Sequence, residues 1–182
     1  MTAFDPATAL LRLDQVRLES PGTLFEEAAI RRSMPIAAKL GDADKIRTLS
    51  RNYLQRFPRS PYMRDFMKQF VDAALKLNDR IGNAELTKLI GTADPVMQYS
   101  LYLQIARGAL VNGQTERARF MSGEARKLAD HLKTDPSRAN LYAAASDVAS
   151  DSAGNALREL SQISPDRLQE RDRQLLQAAE AV

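Results

Sequence analysis

Residues 41–58 read GDADKIRTLSRNYLQRFP, and this segment decides the fold. It opens on Gly41-Asp42, closes on Phe57-Pro58 and carries apolar residues at helical spacing between them. A second segment at 113–125 reads GQTERARFMSGEA and repeats the spacing of small residues. Glycine is favoured just after the end of one helix, and proline ends the helix that follows. Repeats of this kind are typical of stacked helix-turn-helix units.

Helix starts can be placed along most of the chain by similar signals. Asp5-Pro6 and Asp94-Pro95 each put a capping carboxylate before a proline, which suits the first position of a helix. Thr23 and Glu26 have the spacing of a capping box, in which the two side chains bind backbone amides reciprocally. The predicted helices begin near residues 6, 24, 42, 61, 82, 95, 115, 136, 151 and 165, and the last two run over 151–160 and 165–181.

Pro35 lies inside the predicted helix over 24–40. Proline has no backbone N–H, so it cannot donate to the carbonyl of Arg31, four residues earlier. We therefore expect a kink or a break in this helix at Pro35.

These signals predict an all-α fold of about ten helices without a strand, built as a right-handed α-solenoid of tetratricopeptide-like helical hairpins. The chain has no Trp, and its many small side chains favour helices that approach closely. The residues that fit the tetratricopeptide skeleton best are Tyr102, Ile105, Ala106, Gly113, Ala118 and Ala125. An apolar stripe made by Tyr62, Phe66, Phe70, Ala74 and Leu77 is interpreted as a core seam rather than a ligand site. We predict one helical-repeat domain over residues 1–182.

Residue types that carry chemistry are scarce. The absence of Cys excludes thiol catalysis and Cys-bound zinc, and His131 is the only histidine. Glu26 and Glu27 are adjacent carboxylates, but a capping role explains Glu26. There is neither a phosphate-binding glycine loop nor a nucleophile elbow. We predict a protein that is not an enzyme and has no catalytic residue, cofactor or metal.

Positive charge is concentrated in one segment. The chain has a formal net charge of +3, but residues 31–80 hold 12 Lys and Arg against 5 Asp and Glu. The candidate partner-binding residues are Arg51, Arg56, Arg59 and Arg64, with Tyr53, Phe57 and Tyr62 between them. An acidic protein partner is favoured over nucleic acid, and an ordinary solvated surface is favoured over both. We expect Arg56→Glu with Arg59→Glu to weaken partner binding and leave helicity unchanged.

Two stretches of sequence carry a family resemblance. Residues 16–32 read VRLESPGTLFEEAAIRR, and residues 53–62 read YLQRFPRSPY. The order of Pro-Gly-Thr-Leu, Glu-Glu-Ala-Ala and paired arginines in the first stretch, and Arg-Phe-Pro-x-Ser-x-Tyr in the second, is similar to the C-terminal half of the MotC family of flagellar motility proteins. This resemblance covers the whole chain as part of a longer precursor.

The resemblance implies a secreted, periplasmic protein that associates with the periplasmic part of the stator subunit MotB and supports torque generation. It transfers no catalytic residue. No apolar run approaches the ~18 residues of a membrane helix, so we predict neither membrane insertion nor nucleic-acid binding. The alternatives are a generic tetratricopeptide-like scaffold for envelope assembly and a helical accessory domain of a peptidoglycan-acting enzyme.

Overall fold

The computed structural model describes residues 5–148 and 153–180. Within these ranges it contains ten α-helices, one 3-10 helix and no strand, which confirms the all-α class. The helices are α1 (Pro6–Glu19), α2 (Leu24–Leu40), α3 (Ala43–Arg56), α4 (Met63–Lys76), α5 (Asn83–Ile90), α6 (Pro95–Val111), α7 (Thr115–Leu132), α8 (Ser137–Asp147), α9 (Ala153–Ser161), a 3-10 turn (Pro165–Arg167) and α10 (Glu170–Glu180).

The helices form two compact units. The first unit ends at Ala93 and holds α1–α5, and the second begins at Asp94 and holds α6–α10. In the first unit α2 packs against α1, α3 and α4, while α3 also contacts α5. In the second unit α8 packs against α6, α7, α9 and α10. The tetratricopeptide-like character and the single-domain organisation stay predictions.

The predicted capping residues act as expected at several helix starts. Asp5, Asp42 and Asp94 each accept a hydrogen bond from a backbone amide in the first turn of the helix that follows. Gly41 ends α2 with φ of 74°, and its carbonyl accepts a 2.6 Å hydrogen bond from Arg80 Nη1. The left-handed backbone conformation at Gly41 favours glycine, and a Cβ atom there would lie 2.8 Å from that nitrogen and displace the Arg80 side chain.

The expected interruption at Pro35 is not a break. α2 runs unbroken from Leu24 to Leu40. Met34 and Ala37, on either side of Pro35, are completely buried, whereas Pro35 itself is exposed. Burial of the inner face therefore holds the helix together although one backbone hydrogen bond is missing.

Two predicted boundaries are wrong. α4 begins at Met63 rather than at Pro61, because the Ser60 side chain turns back and its Oγ accepts from the Tyr62 amide at 2.9 Å. The helix predicted over 165–181 is a short 3-10 turn followed by α10, with Leu168 extended and buried between them. α9 is described from Ala153, so the predicted start at residue 151 lies outside the described residues, as does residue 181.

Aromatic side chains form the core of the first unit. The rings of Tyr53 and Phe66 stack with centroids 3.9 Å apart, and Phe66 also contacts Phe70. Phe66, Phe70, Ala74 and Leu77 are buried, which confirms the predicted seam for these four. Tyr62 is the exception, since it is exposed and its ring lies 4.1 Å from the guanidinium carbon of Arg31.

Small residues let α6 and α7 pack closely in the second unit. The two helices are joined by residues 112–114, where Gly113 has φ of 70°. Ala106 and Ala109 on α6 are completely buried, as are Ala118 and Ala125 on α7. Their interpretation as packing residues is confirmed.

A buried carboxylate ties three helices of the second unit together. Asp172 on α10 accepts hydrogen bonds from Tyr142 (2.7 Å) and Arg138 (3.0 Å) on α8 and from Arg107 (3.3 Å) on α6. The extended Leu168 separates the 3-10 turn from α10, which begins at Glu170 and places Asp172 on its buried face. Burial and the hydrogen bond to Asp172 raise the pKa of Tyr142, so its hydroxyl stays protonated.

We expect Asp172→Asn to lower the free energy of unfolding by about 2–3 kcal/mol, because two guanidinium groups lose their buried counter-charge. Their side chains are 33% and 32% exposed, which keeps the loss below that of a fully buried pair. Urea unfolding followed by circular dichroism measures it. The matched control is Glu170→Gln on the same helix, where the side chain is 70% exposed and pairs only locally with Arg173; it should stay within about 0.5 kcal/mol. Equal losses for the two variants would contradict the assigned role of Asp172.

Candidate functional site

The four predicted partner-binding arginines lie along one connection of the first unit. Arg51 and Arg56 are on α3, Arg59 is in the turn after it, and Arg64 is in the first turn of α4. Arg56 and Arg59 line a shallow groove of about 520 Å³ together with Phe57, Pro58 and Ser60. Arg51 and Arg64 do not line this groove. The structure thus brings two of the four predicted residues together at one surface depression.

Arg56 has a structural task that the sequence did not reveal. Its Nη1 donates to Oε1 of Glu26 at 2.7 Å, and the Glu26 side chain is almost completely buried. Oε2 of Glu26 accepts from the backbone amide of Gly22 at 2.5 Å. One of the two hydrogen bonds of the predicted capping box is present, because Thr23 Oγ1 accepts from the backbone amide of Glu26. The other is replaced, because the Glu26 carboxylate accepts from the amide of Gly22 rather than from that of Thr23. Capping alone does not explain Glu26, since it also neutralises Arg56.

Glu27 is the second buried carboxylate at the start of α2. Its Oε1 accepts from the Tyr53 hydroxyl at 2.6 Å and from the Ser60 hydroxyl. Burial, followed by this hydrogen bond, raises the pKa of Tyr53 well above its usual value. Tyr53 therefore acts as a protonated donor at physiological pH. Through Ser60, Glu27 fixes the turn that carries Arg59.

Three of the predicted arginines are free of internal partners. Within residues 5–148 and 153–180, Arg51, Arg59 and Arg64 are exposed and make neither an ion pair nor a hydrogen bond. A guanidinium that is not engaged within its own chain can bind a carboxylate of another molecule without breaking an existing contact. These three side chains therefore have the free donors that binding to an acidic partner requires.

Exposed apolar side chains stand in the first turn of α2, whose Glu26 and Glu27 contact this connection. Leu24 and Phe25 begin α2 and are 73% and 68% exposed, in the same turn as the Glu26 that binds Arg56. Sequence reasoning missed them, although large apolar residues at the first two positions of a helix, before its buried face begins, were an available signal. Phe and Arg are among the residue types enriched at protein interfaces, and an exposed Leu adds apolar area beside them. We call Leu24, Phe25, Arg56, Arg59 and Arg64 the basic turn surface.

Residues suited to chemistry are not gathered in the described part of the chain. Among residues 5–148 and 153–180, no group of three or more His, Asp and Glu is placed to hold a metal ion. His131 is exposed in the last turn of α7. No helix of the described ranges has both the length and the apolar character needed to cross a membrane.

Comparison with known proteins identifies the family. A family described as "Chemotaxis protein MotC" matches residues 1–182, the whole chain. The chain belongs to the MotC family. Chemotaxis protein MotC of Rhizobium meliloti (strain 1021) is 34% identical over 183 residues, an alignment that covers 100% of this chain and 42% of that protein. No solved structure matches the chain. Membership in the MotC family confirms the resemblance and associates the chain with flagellar motility.

We expect Arg56→Glu to lower the free energy of unfolding by about 2 kcal/mol, because it removes the cation beside the buried Glu26 and puts a second carboxylate in its place. Thermal and urea unfolding followed by circular dichroism measure this loss. The double variant Arg56→Glu with Arg59→Glu should therefore keep its helicity at 25 °C but unfold at a lower urea concentration than the unaltered protein.

Arg59→Glu is the matched control in the same turn, since Arg59 has no partner among the described residues. It should change stability by less than about 0.5 kcal/mol. A variant pair with equal stabilities would show that the contact between Arg56 and Glu26 contributes little.

Proposed function

We propose that this chain is a non-catalytic protein-binding module in the periplasm that supports the flagellar stator by associating with the periplasmic part of MotB. The family supports a motor-associated role, and the chain spans 42% of the length of the relative it matches. The observation that carries the proposal is the basic turn surface, where Arg59 and Arg64, exposed and without internal partners, accompany exposed Leu24 and Phe25.

The composition of this surface suits a protein rather than a small molecule. The groove at Arg56 and Arg59 is shallow and lies at a turn, so it cannot enclose most of a small ligand as a binding pocket does. An interface core needs desolvated apolar anchors, which Leu24 and Phe25 supply, and the arginines add charge-assisted hydrogen bonds to carboxylates. The partner surface that fits it carries acidic side chains around an apolar patch.

The internal contacts of the first unit hold this surface in one shape. Glu27 binds the Ser60 hydroxyl, and Glu26 binds Arg56, so both sides of the turn are anchored to the start of α2. A surface that is ordered before binding loses less conformational entropy when the partner arrives. This ordering supports specific protein binding by the turn.

We expect Arg59→Glu with Arg64→Glu to weaken binding to the purified periplasmic region of MotB at least tenfold, because each reversal replaces an attractive contact with a repulsive one. Isothermal titration calorimetry at low salt measures the affinity. The control is Arg171→Glu in the second unit, an exposed arginine whose reversal changes the net charge in the same direction, by half as much, without touching the basic turn surface.

The control should bind within twofold of the unaltered protein. If the unaltered protein does not bind the MotB region at micromolar concentration, the proposed partner is wrong. If Arg171→Glu weakens binding as much as the double reversal does, the effect belongs to net charge and the basic turn surface is not the binding site.

A further inference from the structure

A second surface of the first unit has the shape of a receptor groove. It measures about 790 Å³ and lies between α1, α2 and α4, with α2 in the middle because that helix packs against both of the others. Leu13, Pro35 and Ile36 give it apolar lining, and none of these three is fully buried. The basic turn surface shares no residue with this groove, so the two surfaces can be tested separately.

The lining residues follow helical spacing on all three helices. Asp65 and Gln69 are four residues apart on α4, as are Ala9 and Leu13 on α1. The lining of α1 extends from residue 5 to residue 13, which is about 12 Å at 1.5 Å per residue, or roughly two helical turns. An open trough of this length, between parallel stripes of side chains, fits a helix laid along it. A small molecule would leave much of its surface in water there.

The charges of the groove are unbalanced once internal contacts are counted. Its acidic groups are engaged, because Asp5 caps α1 and Asp65 pairs with Arg31 at 3.1 Å. Two exposed cations remain: Arg12 reaches only the amide oxygen of Gln15, at 3.5 Å, and Arg32 has no partner among residues 5–148 and 153–180. The cations still available therefore favour an acidic occupant.

The groove wall also contains polar atoms that lack hydrogen bonds. Arg31 Nε and Gln69 Oε1 are buried and have no partner in the described residues. A buried polar atom without a partner costs about 1–3 kcal/mol. Small rotations of these side chains toward an occupant with polar groups would satisfy them, which adds a second reason for a partner in the groove.

We propose that this groove binds an acidic amphipathic α-helix of a protein partner. Apolar side chains of that helix pack over Leu13, Pro35 and Ile36, and Asp or Glu side chains beside the apolar stripe meet Arg12 and Arg32. The inference does not depend on the identity of the stator partner, because it concerns the chemistry that this groove accepts.

The test uses two synthetic helices of eighteen residues. Both carry Leu at positions i, i+3, i+4 and i+7 and one Trp in the apolar stripe; one has Glu beside the stripe, and the other has Lys at the same positions. The full chain has no Trp, so Trp fluorescence reports the peptide alone. We expect the acidic helix to bind at least tenfold more tightly than the basic one, and Arg12→Glu with Arg32→Glu to reverse that order.

Ile36→Asp tests the apolar floor and should weaken binding of the acidic helix at least tenfold. Leu11→Asp is its matched control, because Leu11 is 69% exposed on α1 outside the groove and should leave binding within twofold. Circular dichroism checks that each variant is folded. If Ile36→Asp does not fold, the variant Arg12→Glu with Arg32→Glu provides the test. Equal affinity for the two helices, no binding of either, or an unchanged order in the arginine variant would overturn the proposal.

Discussion

Two adjacent buried carboxylates at the start of α2 are the constraint on which the first unit depends. Burying a carboxylate costs several kcal/mol unless hydrogen bonds and a counter-charge replace the lost water. Glu26 receives the guanidinium of Arg56 and the amide of Gly22, and Glu27 receives the hydroxyls of Tyr53 and Ser60. The partial positive charge at a helix N-terminus favours both carboxylates further. These contacts join α2 to α3 and to the turn before α4.

The same contacts order the turn that follows α3 together with the core. Tyr53 uses its ring in the aromatic core and its hydroxyl at Glu27, so the core and the turn are ordered together. The turn then presents Arg59 at a fixed place, next to a helix start that exposes Leu24 and Phe25. Composition alone does not distinguish Arg56 from the other arginines of the segment. Its contact with Glu26 holds the end of α3 against the start of α2. Arginines that look alike in the sequence thus differ in their internal contacts, since Arg56 binds a buried carboxylate of its own chain and Arg59 has no such partner among the described residues.

Helix positions could be predicted from the sequence because their signals are local. A capping aspartate, a proline at the first position and a glycine at the end each act within one turn, and α2 and α7 have the predicted bounds. The burial of Glu26, Glu27 and Asp172 could not be predicted, because it depends on partners about 30 or more residues away for most of their contacts.

Local signals were incomplete where tertiary packing prevailed. The signal at Pro35 left a kink or a break open, and α2 runs unbroken through Pro35 with buried residues on both sides. The predicted last helix is divided, because Leu168 enters the core in an extended conformation. The basic segment was visible from composition, but composition could not separate Arg56 from Arg51, Arg59 and Arg64. That separation needed the contacts of each side chain.

Hydrogen exchange of the full chain, with and without the periplasmic region of MotB, shows whether an ordered basic turn of the first unit binds the partner. We expect slower exchange on binding for amides of residues 22–27 and 57–66, which carry the exposed apolar residues and the free arginines, with little change in α7. Slower exchange confined to the second unit, or unchanged exchange throughout the basic turn surface in a complex that has formed, would contradict it.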